Sequence, residues 1–143
     1  VETVPMDLTV HGAARLLTHP ATRHPSFPVV DAAGRVLGVL DPPAVLRWRR
    51  AGTHRSTTVG ALLAGVKPVL AYPGEYLDSL ADRLSTLNVA HLPVVARQGR
   101  RLAAHVGWKD LMRMRAQSQA AEQQRTAFFA LGRRGGEVVA ARK

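Results

Sequence analysis

Apolar residues at Val10, Ala13, Ala14 and Leu17 follow the i, i+3, i+4, i+7 spacing of one helix face. The same spacing returns at Leu77, Leu80, Ala81 and Leu84. Each predicted helix precedes a short apolar run built on Pro-Val-Val: Phe27-Pro28-Val29-Val30-Asp31 in the first case, Leu92-Pro93-Val94-Val95 in the second. A glycine closes a short polar turn after each run, Gly34 after Asp31-Ala32-Ala33 and Gly99 after Arg97-Gln98. A tight hairpin needs positive φ there, which glycine adopts without strain. The later copy carries one more residue after its glycine than the earlier one. The strands Pro28–Asp31 and Arg35–Leu40 are short and mostly apolar, which predicts burial on both faces. Val45-Leu46-Arg47 and Leu111-Met112-Arg113 then begin or continue a second helix in each copy.

The chain is therefore an internal repeat. Each copy reads strand, helix, strand, turn, strand, helix, so the fold class is α/β (α+β) with two β-α-β-β-α units. The predicted organisation is a first repeat over 1–47, a linker over 48–65, a second repeat over 66–116 and a basic extension over 117–143. The linker reads as a polar loop, then one short helical turn near Val59–Leu63 with Thr57 or Thr58 as N-cap. Beyond Asp110 the chain is rich in Ala, Gln, Arg and Met, good helix formers, so the last helix should run past the repeat until Gly132, Gly135 and Gly136 end it. The final residues are expected to be loosely attached.

Composition narrows the chemistry. The 143 residues are 46% hydrophobic but only 5% aromatic, so Ala, Val and Leu must fill the core. The formal net charge is +10, densest after Met112, which favours polyanions: an anionic membrane surface, a phosphorylated ligand or nucleic acid. Nucleic acid is the weakest of these readings, because no helix-turn-helix and few aromatics accompany the arginines. There are no cysteines, which removes disulfides and thiolate metal sites. No apolar run approaches the roughly 20 residues of a membrane-spanning helix. The chain begins with Val1 rather than Met, as an excised part of a longer protein would. His11, His19, His54, His91 and His105 show no shared spacing, so no metal site is expected. Neither a Walker loop, a GxGxxG nor a nucleophile elbow is present, and the chain does not read as an enzyme.

The repeated order apolar-Pro-Val-Val, loop, Gly-x-apolar, helix resembles a tandem CBS domain pair, or Bateman module, over roughly residues 1–116. The resemblance implies two repeats packed with pseudo-twofold symmetry and dimerisation through them. Val69–Leu77, Ala81–Leu84 leading into Ala90–Val95, and Trp108–Leu111 running into the helix Met114–Arg125 are similar to the cytosolic C-terminal region of bacterial chloride channel and transporter proteins. That similarity implies a regulatory module on the cytoplasmic side of the cell membrane, with a transmembrane transport domain in the same full-length chain. The alternative is a stand-alone or enzyme-linked nucleotide sensor with no membrane partner.

In CBS pairs, adenosine ligands such as AMP, ADP or ATP occupy clefts between the repeats. An Asp at the start of the last helix of a repeat holds the ribose hydroxyls, and a Ser or Thr three residues earlier contacts phosphate or ribose. On that pattern Asp110 is the ribose residue of the second copy, and Gly107 stands where the hydroxyl residue would be. The first copy has Asp41 and Ala44 at the corresponding positions, followed by donor-less Pro42 and Pro43, so its site is lost. The resemblance adds His24 as a ring that could stack on adenine, Phe27 as a cleft-wall residue, and Pro5 and Val69 as backbone contacts.

Overall fold

The computed structural model describes residues 2–22 and 26–132, with 122–132 described by backbone alone. The elements are β1 (Val4–Pro5), α1 (Val10–Thr18), β2 (Phe27–Val30), β3 (Val36–Leu40), α2 (Pro42–Arg50), α3 (Val59–Leu63), α4 (Leu77–Thr86), β4 (His91–Val95), β5 (Leu102–Gly107) and α5 (Trp108–Gly132). They fall into two compact units, residues 1–73 with 91–105 and residues 74–90 with 106–143. The division cuts across the second repeat of the sequence, whose β4–β5 hairpin belongs mostly to the first unit.

In the first unit β1 and β2 are parallel, joined by the α1 crossover that parallel pairing requires, and β2 turns back antiparallel onto β3. Val4 sits opposite Val29. The second copy repeats this as a single parallel pair, Ala71 opposite Val94. The repeat read from Pro-Val-Val is thus present in the backbone, with the first strand of the later copy reduced to one residue.

The predicted helix face is observed. Val10 and Ala13 are buried on α1, and Ala14 and Leu17 pack against a core of Val4, Phe27, Val29, Leu40, Val45 and Val59. A second cluster takes Val36 from one copy and Leu70 and Val95 from the other. β2 is buried on both faces as predicted, but β3 alternates between buried and half-buried positions. Leu63 of α3 covers the Gly38 side of β3, while Leu37 and Val39 face a thinner covering.

The segment read as a linker is docked rather than free. Val10 N–H donates to Thr57 O at 2.8 Å, His11 N–H to Arg55 O at 3.0 Å, Val59 N–H to Leu8 O at 2.7 Å and Gly60 N–H to Met6 O at 2.8 Å. These bonds seat two helix starts against each other, with Thr9 Oγ1 accepting from Gly12 N–H and Thr58 Oγ1 from Ala61 N–H. Thr58, of the two threonines, is the α3 cap.

Both turn glycines are left-handed, Gly34 at φ 84° and Gly99 at φ 77°. The extra residue of the second copy is Arg100, itself left-handed at φ 49°. Its carbonyl accepts from Val36 N–H at 3.1 Å, and Arg35 pairs antiparallel with Arg101, so the two hairpin tips are joined.

In the second unit α4 packs on α5 through the buried Leu80, Leu84 and Leu111. Asp78 accepts from Arg115 Nη2 at 2.8 Å on the same pair of helices. Arg83 grips Glu75 with both terminal nitrogens, Nη1 at 3.0 Å from Oε1. α4 ends in a Schellman motif: Val89 N–H reaches Leu84 O, Asn88 N–H reaches Ser85 O, and Asn88 is left-handed at φ 52°. The last helix does reach Gly132, and the expected loose tail lies outside the described residues.

Two outcomes follow. A Cβ on Gly60 would meet Met6 O at 2.8 Å and Met6 Cβ at 2.9 Å. Gly60→Ala should therefore destabilise by about 1–3 kcal/mol despite alanine's better helix propensity. Gly34→Ala, left-handed but in open space, should lose about 1 kcal/mol. Urea titration of both variants checks the order.

Asp31 makes the second test. The Arg35 backbone N–H bonded to its carboxylate, reinforced by the Arg35 guanidinium and the Ala33 N–H, holds its pKa below the ordinary 3.8. A depressed carboxylate stabilises the fold above its unfolded pKa, and that contribution disappears as pH falls through the folded value. The stability gap between the wild type and Asp31→Asn should thus narrow below about pH 4. A gap constant down to acid would show that Asp31 contributes nothing by its charge.

Candidate ligand-binding residues

The two helices that follow the β-hairpins begin differently. At α2, Asp41 is the N-cap, and its Oδ1 accepts from Ala44 N–H at 2.9 Å. Pro42 and Pro43 fill the first helical positions, so two N–H donors are missing there. At α5 the direction is reversed. Gly107 precedes the helix, and its N–H donates to Asp110 Oδ2 at 2.9 Å. A complete capping box has a hydroxyl residue at the N-cap and an acid three residues later, each bonding the other's backbone N–H. The first copy retains the cap half in Asp41, and the second retains the acid half in Asp110.

Asp110 remains available for other partners. Its side chain is 41% exposed, and among the described residues Oδ1 meets only Arg113 Nη1, at 3.5 Å. Trp108 and Lys109 keep their N–H groups, so the first turn of α5 presents donors and a partial positive charge. This helix start can accept hydroxyl hydrogen bonds on a carboxylate and attract an anion to its backbone.

The other residues named from sequence are spread over the first unit. Pro5 is exposed at the end of β1, paired opposite Val30 of the neighbouring strand. Phe27 begins β2, and its side chain is 4% exposed within the apolar core, so the ring packs against protein. Val69 is half-buried just before the Ala71 strand pair. His24 lies outside the described residues. Gly107 and Asp110 are brought into direct contact in the second unit.

One polar group was missed. His91 and His105, read as scattered, stack with ring centroids 5.1 Å apart and planes 21° from parallel. Ser26, a buried polar residue at 5% exposure, places Oγ 3.0 Å from His105 Nε2. The signal was the hairpin: its turn at Arg97–Arg100 folds β5 back along β4, so histidines a few residues either side of it meet. Among the described residues no three His, Asp or Glu side chains converge on a metal position.

Residues 1–50 match the family model of the CBS domain. A CBS-domain-containing protein from Agrobacterium tumefaciens is similar in structure, with TM-score 0.64, 23% identity, and coverage of 80% of this chain and 88% of that one. The chain has the fold of a CBS domain pair. The CBS domain pair of protein MJ0100, solved with 5′-methylthioadenosine and S-adenosyl-L-methionine, matches at TM-score 0.64 and 19% identity, over 81% of this chain and 89% of that one. CBSX2 in complex with AMP matches at TM-score 0.67 and 21% identity, over 83% and 90%. No curated protein matches the chain in sequence.

The two helix starts make separable predictions. Asp41→Ala removes the only side-chain cap of α2 and should cost about 1 kcal/mol. Asp110→Asn retains an acceptor for Gly107 N–H and should lose less. Thermal unfolding followed by circular dichroism ranks them; equal losses would contradict the assignment.

Proposed function

We propose that this CBS pair is a regulatory module that senses an adenosine-bearing ligand, with its one competent site built on the start of α5. The observation that carries the reading is the asymmetry of the helix starts. Asp110 keeps an exposed carboxylate above intact N–H donors, whereas Asp41 is turned into its own helix and followed by two prolines. The ligands named with the structurally similar proteins, AMP, 5′-methylthioadenosine and S-adenosyl-L-methionine, share an adenosine. A ribose offers two adjacent hydroxyls, which one carboxylate accepts together. The phosphate of AMP, ADP or ATP would be drawn to the helix start, with Lys109 as a nearby cation.

Within this reading Gly107 supplies backbone where a side-chain hydroxyl would otherwise stand. Pro5 and Val69 as backbone contacts and His24 as a stacking ring rest on the family resemblance alone. The role is regulatory rather than catalytic, and it acts only if the ligand binds two conformations unequally. We take the working form to be a homodimer; the exposed Tyr76, Leu87 and Trp108 of the helical unit are apolar surface that a second copy could cover.

The finer attachment rests on sequence resemblance alone. Val69–Leu77 and Trp108–Arg125 favour the cytosolic part of a chloride channel or transporter, on the inner side of the cell membrane, with the basic tail near anionic lipid. A stand-alone or enzyme-linked sensor fits the same fold equally well. No described helix is long and apolar enough to cross a membrane. The surrounding reading frame separates the two: a series of apolar spans of roughly 20 residues before Val1 supports the transporter.

Titration calorimetry with AMP, ADP, ATP and S-adenosyl-L-methionine tests the sensor. At least one should bind, and Asp110→Ala should weaken it by about tenfold or more, roughly 1.4 kcal/mol. Asp41→Ala should leave affinity unchanged. Binding indifferent to Asp110, or no binding of any of the four, would reject the site.

A further inference from the structure

The joined hairpin tips present a second feature that the nucleotide reading does not use. Arg35 and Arg101 are directly opposite in an antiparallel pair. Opposed side chains in such a pair leave the same face with Cβ atoms about 5 Å apart, and like charges there destabilise. Arg100, next in the chain, is held in the left-handed region at φ 49° with its carbonyl fixed by Val36 N–H. Of the four arginines Arg35, Arg97, Arg100 and Arg101, among the described residues Arg35 alone is paired with an acid, Asp31. Asp31 binds Arg35 through Nε, which leaves the two terminal nitrogens of that side chain for another acceptor. The Arg97 guanidinium is over the Tyr72 ring at 5.0 Å. Among the described residues neither Arg100 nor Arg101 has an acidic partner.

We propose that the joined tips form a phosphate-binding edge, with Arg35, Arg100 and Arg101 as its cationic ligands. The backbone beneath them is fixed by three hydrogen bonds: Val36 N–H to Arg100 O at 3.1 Å, Ala96 N–H to Arg101 O at 2.9 Å and Asp31 N–H to Arg35 O at 3.0 Å. The backbone positions of Arg35 and Arg101 are therefore apposed before any ligand arrives, and two like charges so placed repel in the free protein. A phosphate dianion placed between them turns that repulsion into attraction, and guanidinium forks match its oxygens in pairs. A single carboxylate carries half the charge and satisfies one fork. The side chains are accessible: Arg35 is 54% exposed and Arg101 is also exposed. The ligand class is a phosphate-bearing anion, free or at a lipid headgroup. Among the described residues Asp31 is the one carboxylate paired with these arginines.

Thermal unfolding of the 143-residue chain, with pyrophosphate against sodium chloride at matched ionic strength, tests the edge. Pyrophosphate should raise the Tm of the wild type beyond the chloride control. Arg101→Gln should raise the Tm in chloride alone, because a like-charge contact is gone, and should weaken pyrophosphate by at least about fivefold. Arg100→Asn, which retains a residue tolerant of left-handed backbone, should weaken it similarly, and Asp31→Asn should tighten it. Saturating AMP should not displace pyrophosphate, and the Arg101→Gln result stands whether or not AMP binds. Flotation with phosphatidylglycerol vesicles against phosphatidylcholine vesicles then separates the sources. Arg101-dependent flotation assigns a lipid headgroup, and an Arg101-dependent Tm shift without flotation assigns a free phosphate compound. No pyrophosphate shift, a shift that survives both arginine substitutions, or displacement by AMP would overturn the proposal.

Discussion

One backbone hydrogen bond organises the first unit: Val36 N–H to Arg100 O, where the hairpin of one copy meets the hairpin of the other. Two-stranded hairpins are marginal in water when alone, because they bury too little on either face. Here neither hairpin stands alone. The cluster under their junction takes Val36 from β3 and Val95 from β4, with Leu70 beside them and Val30, Tyr72 and Leu102 packed around. Duplication thus supplies each copy with the apolar partner that its own few strands lack. The contact depends on the single residue by which the copies differ in their turns, since Arg100 is that residue and its carbonyl accepts the bond.

The repeat was legible because it is written in local chemistry. The positions of Val10, Ala13, Ala14 and Leu17 specify a helix face without reference to the rest of the chain, and Gly34 and Gly99 mark turns that only positive φ can close. What escaped the reading is long-range. Thr57, Val59 and Gly60 lie in what reads as a polar connector, yet their backbone groups bond to Val10, Leu8 and Met6, some fifty residues earlier in the chain. β3 carries the apolar composition of a strand covered on both faces, but which face is thinly covered depends on where Leu63 lands. His91 and His105 could be matched only by folding β5 back along β4.

The candidate site was half legible for the same reason. The family resemblance assigned Asp41 and Asp110 to the two helix starts, but sequence shows neither carboxylate's hydrogen bonds. Seen together, the two copies divide one capping box: a cap without its acid in the first, an acid without its cap in the second. An acid at the N-cap turns its lone pair inward to the third residue of the helix. An acid at the third position reaches back to the cap and leaves its second oxygen outside. The inequality between the copies is thus a matter of which oxygen faces solvent.

That geometry also bears on how a ribose could be accommodated at α5. Asp110 Oδ2 is engaged by Gly107 N–H at 2.9 Å, a charge-assisted bond that holds the carboxylate in place. Among the described residues Oδ1 is opposed only by Arg113 at 3.5 Å, and both side chains are well exposed. An exposed pair of this kind contributes about 0–1 kcal/mol, so its displacement is a small cost beside two new hydroxyl bonds. Had Asp110 instead been the N-cap, a ligand would have had to compete with the helix's own backbone for the same oxygen. The glycine at position 107, which removes a hydroxyl from the family pattern, retains the one group this arrangement requires, a backbone N–H that orients the acid while leaving its other oxygen outward.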